Sequence, residues 1–92
     1  LSLENNLLET LPSSLCKLTK LTSLDVSANK LKTLPECIGN LSNLYELDVE
    51  ENCLNSLPKS LKNLAHLKNL FIANNHNLQK PNLPSLEYCD IK

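Results

Sequence analysis

The sequence contains one glycine, Gly39, and only three aromatic residues. A single glycine excludes a flexible glycine-rich linker and a glycine-rich loop that would hold a phosphate. The formal net charge of −1 argues against nucleic acid as a partner of the whole surface, because such binding relies on an excess of cations. No apolar run is long enough to span a membrane. We therefore expect neither nucleic-acid binding nor membrane insertion.

The four cysteines are scattered rather than clustered. Cys16, Cys37, Cys53 and Cys89 form no CxxC pair, the spacing that metal sites commonly use. The pattern predicts no metal site, no cofactor and free thiols in a reducing cytoplasm. Cys16 and Cys37 fall in neighbouring units of the repeat described next, where a disulfide is conceivable, but we expect them to stay reduced.

Leucine provides 23 of the 92 residues, and its spacing defines an internal repeat. Apolar residues, an asparagine and a Leu-Pro step recur at one constant displacement, first at Leu21, Leu24, Val26, Asn29, Leu31, Leu34, Pro35, Ile38 and Leu41, and then at Leu44, Leu47, Val49, Asn52, Leu54, Leu57, Pro58, Leu61 and Leu64. Residues 1–20 carry a third copy without its first three positions. This fixed spacing predicts a solenoid, one domain over residues 1–92 with units at about 1–20, 21–43, 44–66 and 67–85 and a partial unit at 86–92.

Each unit has three parts. The apolar–polar alternation of Leu24, Asp25 and Val26 predicts a strand with one buried face. Asparagines that keep the repeat spacing predict a buried ladder, because a carboxamide can bond backbone groups of its own turn and the next; they are Asn6, Asn29, Asn52 and Asn75. The Leu-Pro steps predict short helical turns, since proline tolerates the first helical position.

The fourth unit departs from the pattern. The next unit begins at Leu86, which is closer to Leu67 than Leu67 is to Leu44. Pro81 and Pro84 lie in the shortened return, which we expect to run extended. The chain also starts within a unit. We therefore expect a fragment or processed piece, whose uncapped ends at Leu1 and Ile91 would allow end-to-end self-association.

The pattern LxxLxLxxNxLxxLPxxLxxLxx resembles the leucine-rich repeat family over the whole chain. The 23-residue unit with its Leu-Pro step is similar to the intracellular Ras-suppressor, Scribble and Erbin type, most specifically over residues 24–58. The resemblance implies an α/β fold: a curved, right-handed solenoid with a parallel β-sheet on the concave side and short helices or turns on the convex side. It also implies a scaffold for protein binding, often in signalling.

No group of residues in the sequence predicts an active site. Asp25 and Asp48 hold the same strand position in adjacent units and should lie about 5 Å apart, near the spacing of a retaining glycosidase pair. An open strand face offers no enclosed pocket to separate their pKa values, and His66 and His76 fall in loop positions. We therefore expect no enzyme activity.

Charges and aromatic residues segregate by repeat position. Strand-face and adjoining positions hold eight of the ten acids, with Lys68 and Lys92; the acids are Glu4, Asp25, Glu46, Asp48, Glu50, Glu51, Glu87 and Asp90. The back and loops hold Glu9, Glu36 and the other seven lysines. Phe71 shares the register of Asp25, and an outward phenylalanine among carboxylates is typical of an interface anchor. The predicted protein-binding residues are Phe71, Tyr45, Tyr88, Glu46, Asp48, Glu50 and Asp25; the alternative is a face that only keeps the protein soluble.

These features together predict a non-catalytic protein–protein interaction module of a larger cytoplasmic protein. Its concave face would bind a protein with a basic patch. One alternative is the substrate-recognition arm of a larger enzyme, such as a bacterial effector ubiquitin ligase. Another is a fragment of a secreted receptor ectodomain, in which the triplet Asn40-Leu41-Ser42 would provide a glycosylation site.

Overall fold

The computed structural model describes residues 1–76, 78–83 and 85–90. Short strands and 3₁₀ helices alternate along these residues. In chain order the elements are the helix η1 (Ser13–Lys17), the strand β1 (Ser23–Asp25), η2 (Glu36–Asn40), β2 (Glu46–Asp48), η3 (Lys59–Asn63), β3 (Asn69–Phe71) and β4 (Tyr88–Asp90). Each of the first three units contributes one helix on its return path, as the Leu-Pro steps predict.

The strands form one parallel sheet in the order β1-β2-β3-β4. The register pairs Leu24 with Leu47, Leu47 with Leu70, and Leu70 with Cys89, so equivalent repeat positions lie side by side. Residues 1–3 extend the sheet by a single bridge from Ser2 to Asp25 rather than by a full strand. The predicted α/β repeat solenoid with a parallel sheet is confirmed.

A column of leucines and other aliphatic residues fills the space between the sheet and the helices. Most of the strand and return-path positions predicted to point inward are fully or almost fully buried, among them Leu24, Leu31, Ile38, Leu41, Leu44, Leu47, Leu54, Leu64, Leu67 and Leu70. In the first unit, Leu1 and Leu18 are 50% and 48% exposed, because the structure describes no preceding unit to cover them. Burial of one such side chain contributes about 1.5–3 kcal/mol, so this repeated core is the main source of stability.

The prolines of the Leu-Pro steps stand one residue before each helix rather than at its first position. Pro35 has φ −66° and ψ 142°, an extended conformation, and its carbonyl accepts a hydrogen bond from Ile38 N at 3.0 Å. Pro12 and Pro58 repeat this geometry. Proline therefore fixes the entry of the chain into the helix, while its own carbonyl closes the first turn.

The only glycine in the sequence lies where two helices meet closely. A Cβ atom on Gly39 would lie 2.6 Å from Ser60 Cβ and 2.7 Å from the Ser60 carbonyl oxygen. Ser60 Oγ also donates a hydrogen bond to the carbonyl oxygen of Glu36 at 2.5 Å, which ties η3 to η2. Any larger residue at position 39 would push the two helices apart.

The asparagines bond to the backbone of two successive turns. Asn52 Nδ2 donates to the carbonyls of Val49 and Glu50 in its own turn, at 3.0 and 3.1 Å, and to Val26 of the preceding turn at 3.1 Å. Its Oδ1 accepts from Leu31 N at 3.0 Å. Asn29 and Asn75 make the equivalent bonds, and the Oδ1 atom of each accepts a backbone N–H of the preceding unit at 3.0 Å.

The first asparagine of the series differs from the others in its environment. Asn6 Nδ2 donates to the carbonyls of Leu3 and Glu4 at 2.9 and 3.2 Å, both in its own turn. Asn6 is exposed, whereas Asn29 and Asn52 are buried and Asn75 is half-buried. A buried environment for Asn6, expected from the repeat, is therefore not found in this structure.

The residue before each of these asparagines adopts a left-handed backbone conformation. Asn5, Ala28, Glu51 and Asn74 have φ of 64°, 56°, 55° and 62°. Asparagine tolerates this region comparatively well, whereas for other non-glycine residues it costs about 1–2 kcal/mol. Ala28 and Glu51 are thus strained positions that the repeat pattern did not reveal.

Two cysteines are bonded, which corrects the prediction of free thiols for this pair. Cys16 of η1 and Cys37 of η2 form a disulfide with their Cα atoms 5.8 Å apart. The helices of adjacent units lie side by side, so residues separated by 21 positions meet on the same flank. Cys53 and Cys89 are free, one exposed and the other half-buried.

The fourth return lacks the helix of the other units over its described residues, 78–83. Pro81 lies in this helix-free segment, whereas Pro84 and Ile91 lie outside the described residues. The strand that follows, β4, nevertheless pairs in register with β3. The shortened stretch between Leu67 and Leu86 therefore still delivers the next strand to the sheet.

Candidate functional site

The outward side chains of the four strands form two rows, which we call the sheet face. Because Leu24, Leu47 and Leu70 point into the core, their strand neighbours point outward. The first row is Ser23, Glu46, Asn69 and Tyr88, and the second row is Asp25, Asp48, Phe71 and Asp90. Neighbours within a row lie on strands about 4.8 Å apart, so adjacent side chains of each row are within reach of one another.

Two of the predicted binding residues hold the backbone where it leaves the strand. Asp25 Oδ1 accepts hydrogen bonds from Ser27 N at 2.9 Å and from Ser27 Oγ at 2.6 Å. Asp48 Oδ1 accepts from Glu50 N at 3.0 Å. These carboxylates are therefore partly occupied by structural bonds rather than fully available to a partner.

Burial and neighbouring charges perturb the Asp48 carboxyl group. Partial burial raises the pKa of Asp48, and the hydrogen bond from the Glu50 N–H offsets only part of that effect. The negative charges of Asp25, Asp90 and Glu46 raise it further. The sheet face therefore carries a real electrostatic cost, as expected when carboxylates occupy adjacent strands.

Three carboxyl groups, Asp48, Glu50 and Asp90, form what we call the acidic cluster. Asp90 Oδ1 accepts hydrogen bonds from Ile72 N at 2.6 Å and Ala73 N at 3.0 Å, so it fixes the end of the neighbouring strand. A side-chain hydrogen bond with Asp90 raises the pKa of Glu50 to about 7, and burial together with the charges of the surrounding acids adds to the shift. Near neutral pH, the Glu50 carboxyl group is therefore protonated in a large fraction of the molecules.

An aromatic pair lies beside the acidic cluster. The Phe71 and Tyr88 ring centroids are 5.5 Å apart with an interplanar angle of 52°. Phe71 is half-buried in the second row between Asp48 and Asp90, and Tyr88 is 53% exposed. The tilted arrangement is one that aromatic rings favour. It leaves an apolar surface open to solvent in the middle of carboxylates.

Tyr45 lies at the edge of the sheet face rather than within its rows. It directly precedes β2, and its N–H donates to the Thr22 carbonyl at 2.7 Å while its own carbonyl accepts from Lys68 N at 2.9 Å. Lys68 forms an ion pair with Glu87 at 3.8 Å along the same edge. Tyr45 is 51% exposed, so a partner that extends over this edge could contact it.

The structure therefore brings together most of the predicted binding residues but not all of them. Phe71, Tyr88, Asp48 and Glu50 form one contiguous area, with Glu46 on the same strand as Asp48, Asp25 on the neighbouring strand β1 and Tyr45 at the edge. Asp90 was not among the predicted site residues, although it bonds within the cluster. The register of the short last unit, counted from Leu86, places it beside Phe71 and could have identified it. Lys92, which sequence position assigns to this side, lies outside the described residues.

The described residues contain neither of two features that would point to other functions. No three histidine, cysteine, aspartate or glutamate side chains among residues 1–76, 78–83 and 85–90 are grouped so that they could hold a metal ion. Over the same part of the chain, the structure has no helix with the length and apolar character needed to cross a membrane.

The parallel sheet, the leucine core and the repeated asparagines define a leucine-rich repeat solenoid. Residues 20–41 and 43–64 each match the family model described as Leucine Rich Repeat. The chain is thus a leucine-rich repeat protein. Repeats of this family typically act as non-catalytic modules for protein–protein interaction. A comparison with curated proteins gave no match.

Proposed function

We propose that the chain is a protein-binding module and that the sheet face is its binding surface. The observation that carries this proposal is the aromatic pair, Phe71 and Tyr88, which lies in contact and open to solvent among carboxylates. Core packing does not account for Phe71, because Leu70 occupies the inward position of the same strand. Aromatic side chains that become desolvated on binding are common energetic centres of protein interfaces.

The surrounding charges support a partner with a basic patch. Glu46, Asp48, Glu50 and Asp90 surround the aromatic pair, and the only lysine on this side among the described residues, Lys68, is paired with Glu87. Complementary charge at the rim of an interface mainly speeds association and selects against acidic partners. A cation placed beside Glu50 would also favour the ionised form of its carboxyl group.

Glu51 adds a further carboxylate to this acidic surface. Glu51 adopts φ 55° at a position where the first and fourth units have asparagine. A glutamate there costs about 1–2 kcal/mol relative to an unstrained position, and it adds a negative charge next to Glu50. The left-handed conformation itself recurs in the other units, at Asn5, Ala28 and Asn74, so it belongs to the repeat. What distinguishes the third unit is the glutamate and the charge that it adds beside the acidic cluster.

Affinity capture with matched variants tests this proposal. Wild-type chain, Phe71→Ala, Glu46→Lys/Glu50→Lys and the control Lys30→Glu/Lys32→Glu would be immobilised and the bound proteins compared. A partner that binds the wild type and the control, but is lost from Phe71→Ala and from the glutamate variant, supports the sheet face. A partner lost from the control and kept by the other two variants would place the binding surface elsewhere.

The parent protein and its compartment are part of the proposal. The 23-residue units with Leu-Pro steps support an intracellular scaffold of the Ras-suppressor, Scribble and Erbin type, with a role in cytoplasmic signalling. The alternative is the recognition arm of an effector ubiquitin ligase. The shortened fourth unit is the only feature that indicates it. Sequence beyond Lys92 that encodes a helical domain with a catalytic cysteine would favour that alternative.

One observation favours a second candidate, a secreted ectodomain. The Cys16–Cys37 disulfide would persist in an oxidising compartment but not in the cytosol. Asn40, in the glycosylation triplet, lies at the end of η2, although Leu41 within the triplet is fully buried. Intact-mass analysis of the protein from its native source separates the candidates. Two free thiols and a glycan on Asn40 favour secretion, whereas four free thiols and no glycan favour the cytoplasm.

A further inference from the structure

The helix side of the solenoid changes where the third unit meets the fourth. The helices η1, η2 and η3 lie side by side, and each Leu-Pro leucine of the first two units is covered: Leu11 is 7% exposed and Leu34 is 6% exposed. The equivalent Leu57 is half-buried. In the next unit, the helix-free segment 78–83 lies beside Leu57 in place of a fourth helix. Leu57 is therefore less completely covered than Leu11 and Leu34.

A recess opens at this junction, and we call it the helix-side recess. Its volume is about 260 Å³. Leu57, Pro58 and Leu61 line it from the third unit, and Pro81 and Leu83 line it from the fourth. The volume is below the range of about 300–1,000 Å³ that small-molecule and cofactor pockets usually have. It fits a single apolar side chain better than a cofactor.

Lysines give the recess its charge. Lys59 and Lys62 line it, both are exposed, and no aspartate or glutamate is among its lining residues. Lys80, also exposed, directly precedes Pro81. Glu36 lines the adjoining recess between η2 and η3, on the far side of Lys59. The local field is therefore positive, opposite in sign to that of the sheet face.

We propose that the helix-side recess is a second protein-binding surface, which holds an acidic segment of a partner by one apolar side chain. The apolar residue enters between Leu57 and Pro81, and carboxylates on either side of it meet Lys59, Lys62 and Lys80. Apolar burial supplies affinity, and the lysines select acidic flanking residues. This surface is separate from the sheet face, so it stands even if the sheet face has no partner.

Amide chemical-shift titration of the isotope-labelled chain tests the proposal. The probe is a seven-residue peptide of alternating aspartate and glutamate around one central leucine, and a matched peptide carries serine at the centre. We expect shifts confined to residues 57–62 and 79–83. The serine peptide should bind about tenfold more weakly, because it lacks the buried leucine side chain.

Lysine variants supply the matched controls. Lys59→Ser/Lys62→Ser should weaken binding of the leucine peptide about fivefold through the loss of two exposed ion pairs. Lys30→Ser/Lys32→Ser removes the same charge from another surface and should leave affinity unchanged. Equal weakening by both lysine pairs, or equal binding of the leucine and serine peptides, would show nonspecific charge attraction and overturn the proposal.

Two further outcomes would also overturn it. Shifts centred on Lys17–Leu21, where a second lysine-flanked apolar recess lies, would place the peptide at the wrong site. A dimer detected by light scattering that dissociates in the Lys59→Ser/Lys62→Ser variant would mean that a second copy, and not an acidic partner, occupies the recess.

Discussion

Replacing Asn52 by leucine would test the role of the asparagine ladder at a buried position. The side chain is 8% exposed and makes four hydrogen bonds to backbone groups. Its oxygen is the acceptor for Leu31 N, for which the structure shows no other bond. A leucine at position 52 would leave that N–H buried and unpaired.

The size of the destabilisation depends on which backbone groups lose their only hydrogen bond in the Asn52→Leu variant. A stranded buried N–H costs about 1–3 kcal/mol, and the two amide hydrogens of Asn52 contribute about 1 kcal/mol each as net hydrogen bonds. The carbonyls of Val26 and Val49 lose less, because Asn29 and Asn75 also donate to them. Asn52→Leu should therefore destabilise the protein by about 3–5 kcal/mol.

Thermal and guanidinium unfolding followed by circular dichroism would measure this effect. The control is Asn55→Leu, at an exposed asparagine outside the ladder, which should change stability by less than about 0.5 kcal/mol. Unfolding midpoints that fall equally in the two variants would refute the reasoning. So would an Asn52→Leu protein as stable as the wild type.

Three other perturbations test separate features. A Cys16→Ser/Cys37→Ser variant should lose about 3 kcal/mol, because the disulfide closes a loop of about 20 residues in the unfolded chain. Glu51→Asn should gain about 0.5–1 kcal/mol by relieving the left-handed strain at position 51. Glu50 has a folded-state pKa of about 7, above its ordinary value of 4.5. The folded state therefore binds the proton more tightly, and stability should fall as pH rises from 4.5 to about 7, with a shallower fall in Glu50→Gln.

Each of these three has a control in the same chain. Cys53→Ser removes an exposed free thiol and should leave the denaturation midpoint unchanged. Glu9→Asn alters an exposed glutamate without a left-handed backbone and should bring no gain. Glu9→Gln, at an exposed glutamate away from the acidic cluster, should keep the pH slope of the wild type. A reduced wild-type protein as stable as the oxidised one, or a pH slope that survives Glu50→Gln, would contradict the corresponding account.

The repeat spacing predicts the strands and their register, and the family resemblance implies the parallel sheet. The constant displacement between units places Leu24 beside Leu47 and Leu47 beside Leu70, because each unit makes one full turn of the solenoid. The outward position of Phe71 follows from the same register. Apolar alternation and a constant unit length can both be seen in a single sequence. They determine which side chains of neighbouring units pack against each other.

Other features depend on contacts that a one-dimensional pattern does not contain. The Cys16–Cys37 bond arises from two different repeat positions that meet only because helices of adjacent units lie side by side. The capping role of Asp25 depends on how the backbone turns after the strand, and alternation along the strand shows only that its side chain points outward. The left-handed conformation at Glu51 was hidden because glutamate itself gives no signal for it.

The kinetics of the captured partner would test the central claim, that the sheet face is the binding surface. Phe71→Ala should raise the dissociation rate about 30-fold, equivalent to about 2 kcal/mol for a buried anchor, and leave the association rate unchanged. Glu46→Lys/Glu50→Lys should chiefly lower the association rate, and added salt should weaken wild-type binding. The control Lys30→Glu/Lys32→Glu should keep both rates. Normal kinetics for the Phe71 and glutamate variants, with binding abolished in the lysine control, would contradict the claim.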